Sequence, residues 1–153
     1  MTKTEKLIQI AQQIADERPN FFEKKGAGKG DKDTNSFMAE LRSRAEELFG
    51  RDFSEKRICG HTNLAVDFFI PDEGTIIEVA LGLRNPGSEF ERDILKAIMA
   101  KEQGEQVRQL IFVAKPGAMK RHQQPSSIAM QSWVKKNYGI HVTIWELRNN
   151  HAH

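Results

Sequence analysis

Cysteine and long apolar runs are scarce in this sequence, and each shortage excludes a class of protein. The 153 residues contain one cysteine, Cys59. No disulfide can therefore form within the chain, which fits a reducing cytoplasm, and we interpret Cys59 as a small core residue. No apolar run approaches the roughly 20 residues that cross a bilayer, so we expect no membrane-spanning segment. The N-terminal stretch interleaves charged and apolar residues, unlike a signal peptide.

Excess charge of one sign is also nearly absent. The net charge is +2, from 23 basic and 21 acidic residues. A nucleic-acid site needs a local basic patch more than a large total, so this balance neither demands nor excludes such a partner. The residues that are present, 39% hydrophobic and including nine phenylalanines, predict one domain over residues 1–153.

The first third of the chain divides into a helix and a polar loop. Apolar spacing predicts an amphipathic helix over residues 4–17, which Pro19 ends. The Gly- and Lys-rich segment 24–35 is typical of a mobile, solvated loop. The alternative is that its lysines contact phosphates. Those lysines are Lys24, Lys25, Lys29 and Lys32.

The predicted core spans residues 36–147. A helix capped by Asn35 or Ser36 runs to about Phe49 and precedes three strands, EKRICGH, LAVDFFI and TIIEVAL. The capping-box pattern SEFE opens a helix to about Glu102, followed by the strand QLIFVA, a helix over 126–137 and the strand HVTIWEL. This order predicts an α/β fold, a mixed sheet with helices on both faces.

Two acids stand in the apolar strands LAVDFFI and TIIEVAL. If the turn PDEG lets Ile70 pair with Thr75, Asp67 lies directly opposite Glu78. Opposed residues have Cβ atoms about 4.5–5.5 Å apart, and like charges there are destabilising. Such a pair is stabilised by a cation, which predicts a divalent metal. The alternative is a solvated pair on an exposed hairpin.

The acids and the element order together resemble the PD-(D/E)XK nuclease superfamily, over about residues 37–114. The resemblance implies a restriction-endonuclease-like mixed β-sheet. It also implies that Asp67, Glu78 and the Val79 carbonyl bind Mg²⁺, with Mn²⁺ able to substitute. The implied activity is metal-dependent hydrolysis of phosphodiester bonds in nucleic acid, with DNA the expected partner. Homodimers are common in this superfamily, which leaves a homodimer open here.

The sequence departs from the family at the E-x-K lysine, because Ala80 follows Glu78 and Val79. In some members of the family this lysine lies on the following helix. By resemblance to them, Lys96 is the candidate here. A helical wheel sets Lys96 apart from the apolar stripe, so a solvated lysine is the alternative reading. Arg84 and Lys115 are the fallback cations.

The upstream helix offers an auxiliary acid. Its predicted buried stripe comprises Phe37, Leu41, Ala45 and Leu48. Glu40 flanks this stripe and is our candidate for an auxiliary ligand or water-positioning group, with Glu47 second. His61 follows the first strand of the core and is interpreted as a surface turn residue, with a general-base role as the alternative.

Three functions follow from these observations. The first is a cytoplasmic Mg²⁺-dependent nuclease in which Asp67, Glu78, Lys96 and Glu40 act in catalysis, with phosphate contacts from segments 24–32 and 115–122. The second is a degenerate relative that binds nucleic acid or a partner protein without cleavage, which Ala80 favours. The third is an unrelated α/β domain in which the acids are structural. The turn acids Asp72 and Glu73 are given no role.

Overall fold

A computed structural model of the protein describes residues 1–23, 29–81 and 86–151. The helices are α1 (Lys3–Asp16), α2 (Lys29–Phe49), α3 (Pro86–Glu102), α4 (Ala118–His122) and α5 (Pro125–Tyr138). The strands are β1 (Ser54–Lys56), β2 (Val66–Ile70), β3 (Thr75–Ala80), β4 (Gln109–Ala114) and β5 (His141–Glu146). Short 3-10 helices occupy Phe21–Glu23 and Pro71–Glu73.

The five strands form one mixed sheet in the order β1-β2-β3-β4-β5. The first three strands pair antiparallel, whereas β3, β4 and β5 run parallel. The parallel pairs require crossover connections, which α3 and then α4 with α5 supply. The fold is therefore α/β, as the element order predicted.

Helices cover both faces of the sheet. The buried side chains of α1 and α2 pack with Phe68, Ile70 and Ile77 on one face. Those of α3 and α5 pack on the other face, with Phe69 and Ile76 among the strand residues there. The strands are apolar on both faces because neither face is open to water. This confirms the predicted mixed sheet between two helical layers.

The predicted start of the second helix was wrong. Helix α2 begins at Lys29 and not at residue 35 or 36, so residues 29–35 belong to a helix and not to a loop. A helical segment with few apolar residues has no amphipathic pattern, so its sequence cannot be distinguished from that of a polar loop. Leu48, predicted to be buried, is exposed near the end of α2. Lys24 and Lys25 lie outside the described residues.

The first strand is also shorter than EKRICGH. It covers Ser54–Lys56, after which the chain turns through Gly60 and His61 before β2 begins. Cys59 is buried, as predicted, although it lies in this turn and not in a strand. Strand β1 still pairs with β2 on both sides of Asp67, Ser54 with Phe68 and Lys56 with Val66.

The β2–β3 turn is more than a connector. Pro71–Glu73 form one 3-10 turn, which Gly74 ends at a φ of 60°. The Glu73 carboxylate accepts hydrogen bonds from the backbone N–H groups of Lys3 and Thr4, the first residues of α1. Asp72 forms an ion pair with Lys3. These turn acids anchor α1, which corrects the expectation that they are ordinary loop charges.

Among the described residues, none of the helices combines the length and apolar character needed to cross a membrane.

Candidate functional site

Strands β2 and β3 pair in the predicted register. Phe68 pairs with Ile77, Phe69 with Ile76 and Ile70 with Thr75. The regular pairing ends at Phe68 and Ile77, one step before Asp67 and Glu78. The predicted direct pairing of the two acids is therefore absent from the ladder, and the acids are linked through backbone contacts instead.

Each acid accepts a hydrogen bond from the backbone of the opposite strand. Asp67 N–H donates to Glu78 Oε1 at 2.7 Å. Val79 N–H donates to Asp67 Oδ2 at 2.8 Å. Carboxylate oxygens thus replace carbonyl oxygens as ladder acceptors, and they satisfy backbone groups that burial would otherwise leave unpaired.

The departure from the ladder also changes which way β2 side chains face. Strict alternation predicts Val66 on the same face as Phe68, but Val66 packs with α3 and α5 on the opposite face. Ala65 lies outside β2, so the predicted pairing of Ala65 with Ala80 was wrong. Strand β2 therefore departs from regular alternation just before Asp67.

Lys96 of α3 enters the site beside this departure. Its side chain is 9% exposed, and Nζ lies 2.5 Å from Glu78 Oε2 and 3.0 Å from Asp93 Oδ1. Nζ also donates a hydrogen bond to the Ala65 carbonyl at 2.8 Å. The alternative of a solvated lysine was wrong, because Lys96 contacts the acid pair directly.

Asp93 is the site residue that the sequence reasoning missed. It stands one helical turn before Lys96 on α3 and forms an i,i+3 pair with it. The spacing of Asp93, Lys96 and Ala100 places these three residues on one face of α3. Because Ala100 is fully buried, this face points into the protein. The buried face of α3 is wider than its large apolar residues indicate.

An open cleft of about 480 Å³ exposes this cluster. Its charged lining comprises Asp67, Glu78, Glu89, Arg92, Asp93 and Lys96. Four acids therefore face two bases. Thr34 and Asn35, from α2, also line the cleft. The cleft has an excess of carboxylate charge that its own cations do not balance.

Burial, with a smaller effect of neighbouring charges, perturbs the ionisation of the acids. Burial raises the pKa of Asp67 to about 6, against the opposing effects of the Val79 N–H and Lys96. Burial, and then the neighbouring charges of Asp67 and Asp93, raise the pKa of Glu78 to about 9. Burial acts to lower the pKa of Lys96, but Glu78 and Asp93 outweigh it and keep the ammonium charged.

The donor set fits a hard divalent cation in two respects. Glu78 Oε2 is buried and accepts no hydrogen bond from the described residues, since its contact with Lys96 is ionic without hydrogen-bond geometry. The acids also outnumber the bases. No group of three or more His, Cys, Asp or Glu side chains is arranged to hold a metal within the described ranges. Mg²⁺, however, commonly uses one or two carboxylates and completes its shell with water and phosphate.

Other predicted residues lie elsewhere. Glu40 is bound to Arg44, which also holds Glu17, and Glu40 is not among the described residues that line the cleft. Glu47 and His61 are exposed. The structure does not bring these three to the acid pair.

The alternative cations and the backbone ligand predicted from the sequence have different positions relative to the cleft. Lys115 follows β4 and is not among the described residues that line the cleft, and Arg84 lies outside the described residues. Val79 does line the cleft. The use of its carbonyl as a metal ligand stays a prediction. Ala80 also lines the cleft, so the position of the missing E-x-K lysine borders the space that Lys96 reaches from α3.

Comparisons with protein-family models, with curated proteins and with solved structures found no match to this chain. The resemblance to PD-(D/E)XK nucleases therefore stays a prediction from the residues and the element order.

Proposed function

We propose that this protein is a metal-dependent nuclease with a restriction-endonuclease-like fold, and that its substrate is DNA. The observation that carries the proposal is the contact between Lys96 and Glu78, directly beside Asp67. Two opposed carboxylates and one lysine are the chemical groups that such hydrolysis needs. Here the lysine comes from α3 and takes the role that Ala80 cannot fill.

Asp67 and Glu78 would hold the cation. Glu78 Oε2 accepts no hydrogen bond from the described residues, and a metal bound there would take over its contact with Lys96 Nζ. A bound Mg²⁺ supplies Lewis acidity to the phosphate and activates water. Two protein carboxylates are enough, because water and substrate phosphate complete the shell of Mg²⁺.

Lys96 has two tasks in this proposal. Its ammonium orients the attacking water and offsets the negative charge that develops on the phosphate. The Ala65 carbonyl and Asp93 fix its position from two sides. A cation held in place before the reaction needs no reorganisation as charge develops, which is where electrostatic catalysis gains most.

The experiment is cleavage of plasmid and single-stranded DNA with Mg²⁺, with Mn²⁺ and with EDTA. Asp67→Asn, Glu78→Gln and Lys96→Met remove charge with little change of shape, and each should lower the rate about 100-fold or more. Glu91→Gln and Lys135→Met, at exposed positions, are the matched controls. Wild-type rates in both acid variants would overturn the proposal.

A specific observation also favours the degenerate, non-cleaving alternative. The Lys96 ammonium already contacts three oxygens, from Glu78, Asp93 and Ala65. A cation of the protein itself thus already occupies the position beside Glu78 without metal. Calorimetric titration with Mn²⁺ separates the two functions: heat of binding that Asp67→Asn abolishes supports the nuclease, and absence of binding supports the alternative.

A further inference from the structure

A second cleft opens next to the acid cluster. Its volume is about 390 Å³, and it shares Ala80, Glu89 and Asp93 with the first cleft. These three residues line both clefts, so the two clefts are adjacent. Any polymer bound across the acids therefore has an immediate neighbouring space for its next unit.

Aromatic rings form the inner part of this second cleft. The His122 ring lies 4.6 Å from the Phe90 ring and 6.2 Å from the Phe112 ring, measured between centroids. Both phenylalanines are buried, while His122 is half-buried. Burial, reinforced by Arg121, lowers the pKa of His122. An uncharged ring supported from behind by two aromatic rings is a platform on which a flat, apolar face can stack.

The position of His122 is fixed by its neighbours. Gln131 of α5 donates a hydrogen bond to the His122 carbonyl, and Ser127 Oγ lies 3.5 Å from Nδ1. At the other end of α4, the Glu146 carboxylate accepts a hydrogen bond from Met119 N–H. Helix α4 is therefore tied to both α5 and β5.

The second cleft has charged side chains of both signs. Glu89 and Asp93 also line the first cleft, whereas Lys120 and Arg121 line only the second cleft and are exposed. An aromatic platform beside two cations matches a nucleotide, which has a flat base and an anionic phosphate.

We propose that this second cleft binds one unpaired nucleotide of the nucleic-acid substrate, next to the phosphate at Asp67 and Glu78. Its base stacks on His122, and Lys120 and Arg121 contact its phosphate. A base inside a duplex has both faces covered by its neighbours and cannot stack on a protein ring. The preferred substrate is therefore single-stranded or contains an unpaired nucleotide. This inference rests on the proposed function, because it names the substrate class of the same site.

Binding is measured without divalent metal, by fluorescence anisotropy of a labelled 12-nucleotide DNA strand, the RNA strand of the same sequence, and the DNA duplex. The single strands should bind more tightly than the duplex, and a comparison of DNA with RNA identifies the sugar preference. His122→Ala should weaken single-strand binding about 5- to 150-fold, the range for loss of one base–aromatic stack.

The paired variant Lys120→Gln/Arg121→Gln should lower the salt dependence of single-strand binding. Loss of two phosphate contacts reduces the slope of log affinity against log salt by about 1.4. Lys135→Gln/Lys136→Gln, two exposed lysines on α5, makes the same change in net charge and should leave the slope unchanged.

Equal or tighter binding of the duplex overturns the inference, as do His122→Ala and Lys120→Gln/Arg121→Gln variants that bind like the wild type. Thermal melts of each variant show whether it is folded. The result is separable from the nuclease proposal. Single-strand binding without cleavage supports this cleft and overturns the nuclease, whereas cleavage with unchanged binding in these variants does the reverse.

Discussion

Asp67 and Glu78 are joined through the backbone although their charges repel: the N–H of Asp67 donates to Oε1 of Glu78 at 2.7 Å. A glutamine at position 78 keeps an acceptor oxygen at that place and removes the buried charge. An alanine removes the acceptor and leaves a buried N–H unpaired.

We therefore expect Glu78→Ala to destabilise the metal-free protein by about 1–3 kcal/mol. Glu78→Gln should be neutral or stabilising at pH 8. Urea unfolding of both variants and the wild type provides the comparison. Equal losses in the two variants would show that the hydrogen bond to Asp67 contributes nothing to stability.

The raised pKa values of Asp67 and Glu78 predict how metal-free stability depends on pH. Their ordinary values are 3.8 and 4.5, and in the folded protein they are about 6 and about 9. Between these limits the folded state holds more protons than the unfolded state, so stability falls as pH rises. The melting temperature in EDTA should decline from pH 5 to pH 8.

The control is the double variant Asp67→Asn/Glu78→Gln, in which neither group titrates. Its melting temperature should decline less over the same range. A decline as steep as that of the wild type would assign the pH dependence to other groups.

Lys96 compensates buried acids, so its removal leaves them unpaired. Lys96→Met should cost about 3–5 kcal/mol at pH 10, above the pKa values of about 6 for Asp67 and about 9 for Glu78, because it leaves a buried charge unpaired. Near pH 5, below both values, the acids hold their protons and the cost should be smaller. At pH 10, Glu78→Gln should change stability more favourably in Lys96→Met than in the wild type. If the two effects simply add, the residues are not energetically coupled.

Gly74 ends the β2–β3 turn with a φ of 60°, and its carbonyl accepts hydrogen bonds from the N–H groups of Arg108 and Gln109. A Cβ at this position would lie 3.0 Å from the Gln106 carbonyl oxygen and 3.1 Å from Arg108 Cγ. Gly74→Ala therefore combines an unfavourable backbone conformation with a close contact to backbone.

Gly50 has a similar φ of 65° with no atom within 4 Å of the added Cβ. Gly50→Ala should cost about 1–2 kcal/mol from the backbone conformation alone, and Gly74→Ala should cost more. Chemical denaturation of both variants gives the difference. Equal costs would mean that the β3–β4 junction adjusts without strain.

Much of the fold could be predicted because it depends on local patterns. Alternating and continuous apolar residues identified β2, β3 and β4, and a four-residue turn fixed the register that brings Asp67 to Glu78. The early start of α2 at Lys29 could not be predicted in this way, because residues 29–35 carry almost no apolar side chains.

The site was harder to predict than the fold because its third group comes from another element. A helical wheel predicts burial for the apolar stripe alone, yet Lys96 is buried and forms an ion pair with Glu78 from another element. Asp93 was missed for the same reason. In the sequence, only the spacing of Asp93, Lys96 and Ala100 along one face of α3 indicates that Asp93 and Lys96 face the acid pair.

Carboxylate oxygens accept hydrogen bonds from backbone N–H groups of the sheet, and this affects which residues we expect evolution to keep at these positions. Asp67 and Glu78 each satisfy a backbone N–H of the sheet, so selection for a folded chain alone would retain an acceptor oxygen at both positions. Glutamine at position 78 supplies that oxygen without a buried charge, and Lys96 would be released once Glu78 became neutral. Among descendants of this chain selected only for folding, we therefore expect a change at Lys96 to be accompanied by glutamine at position 78.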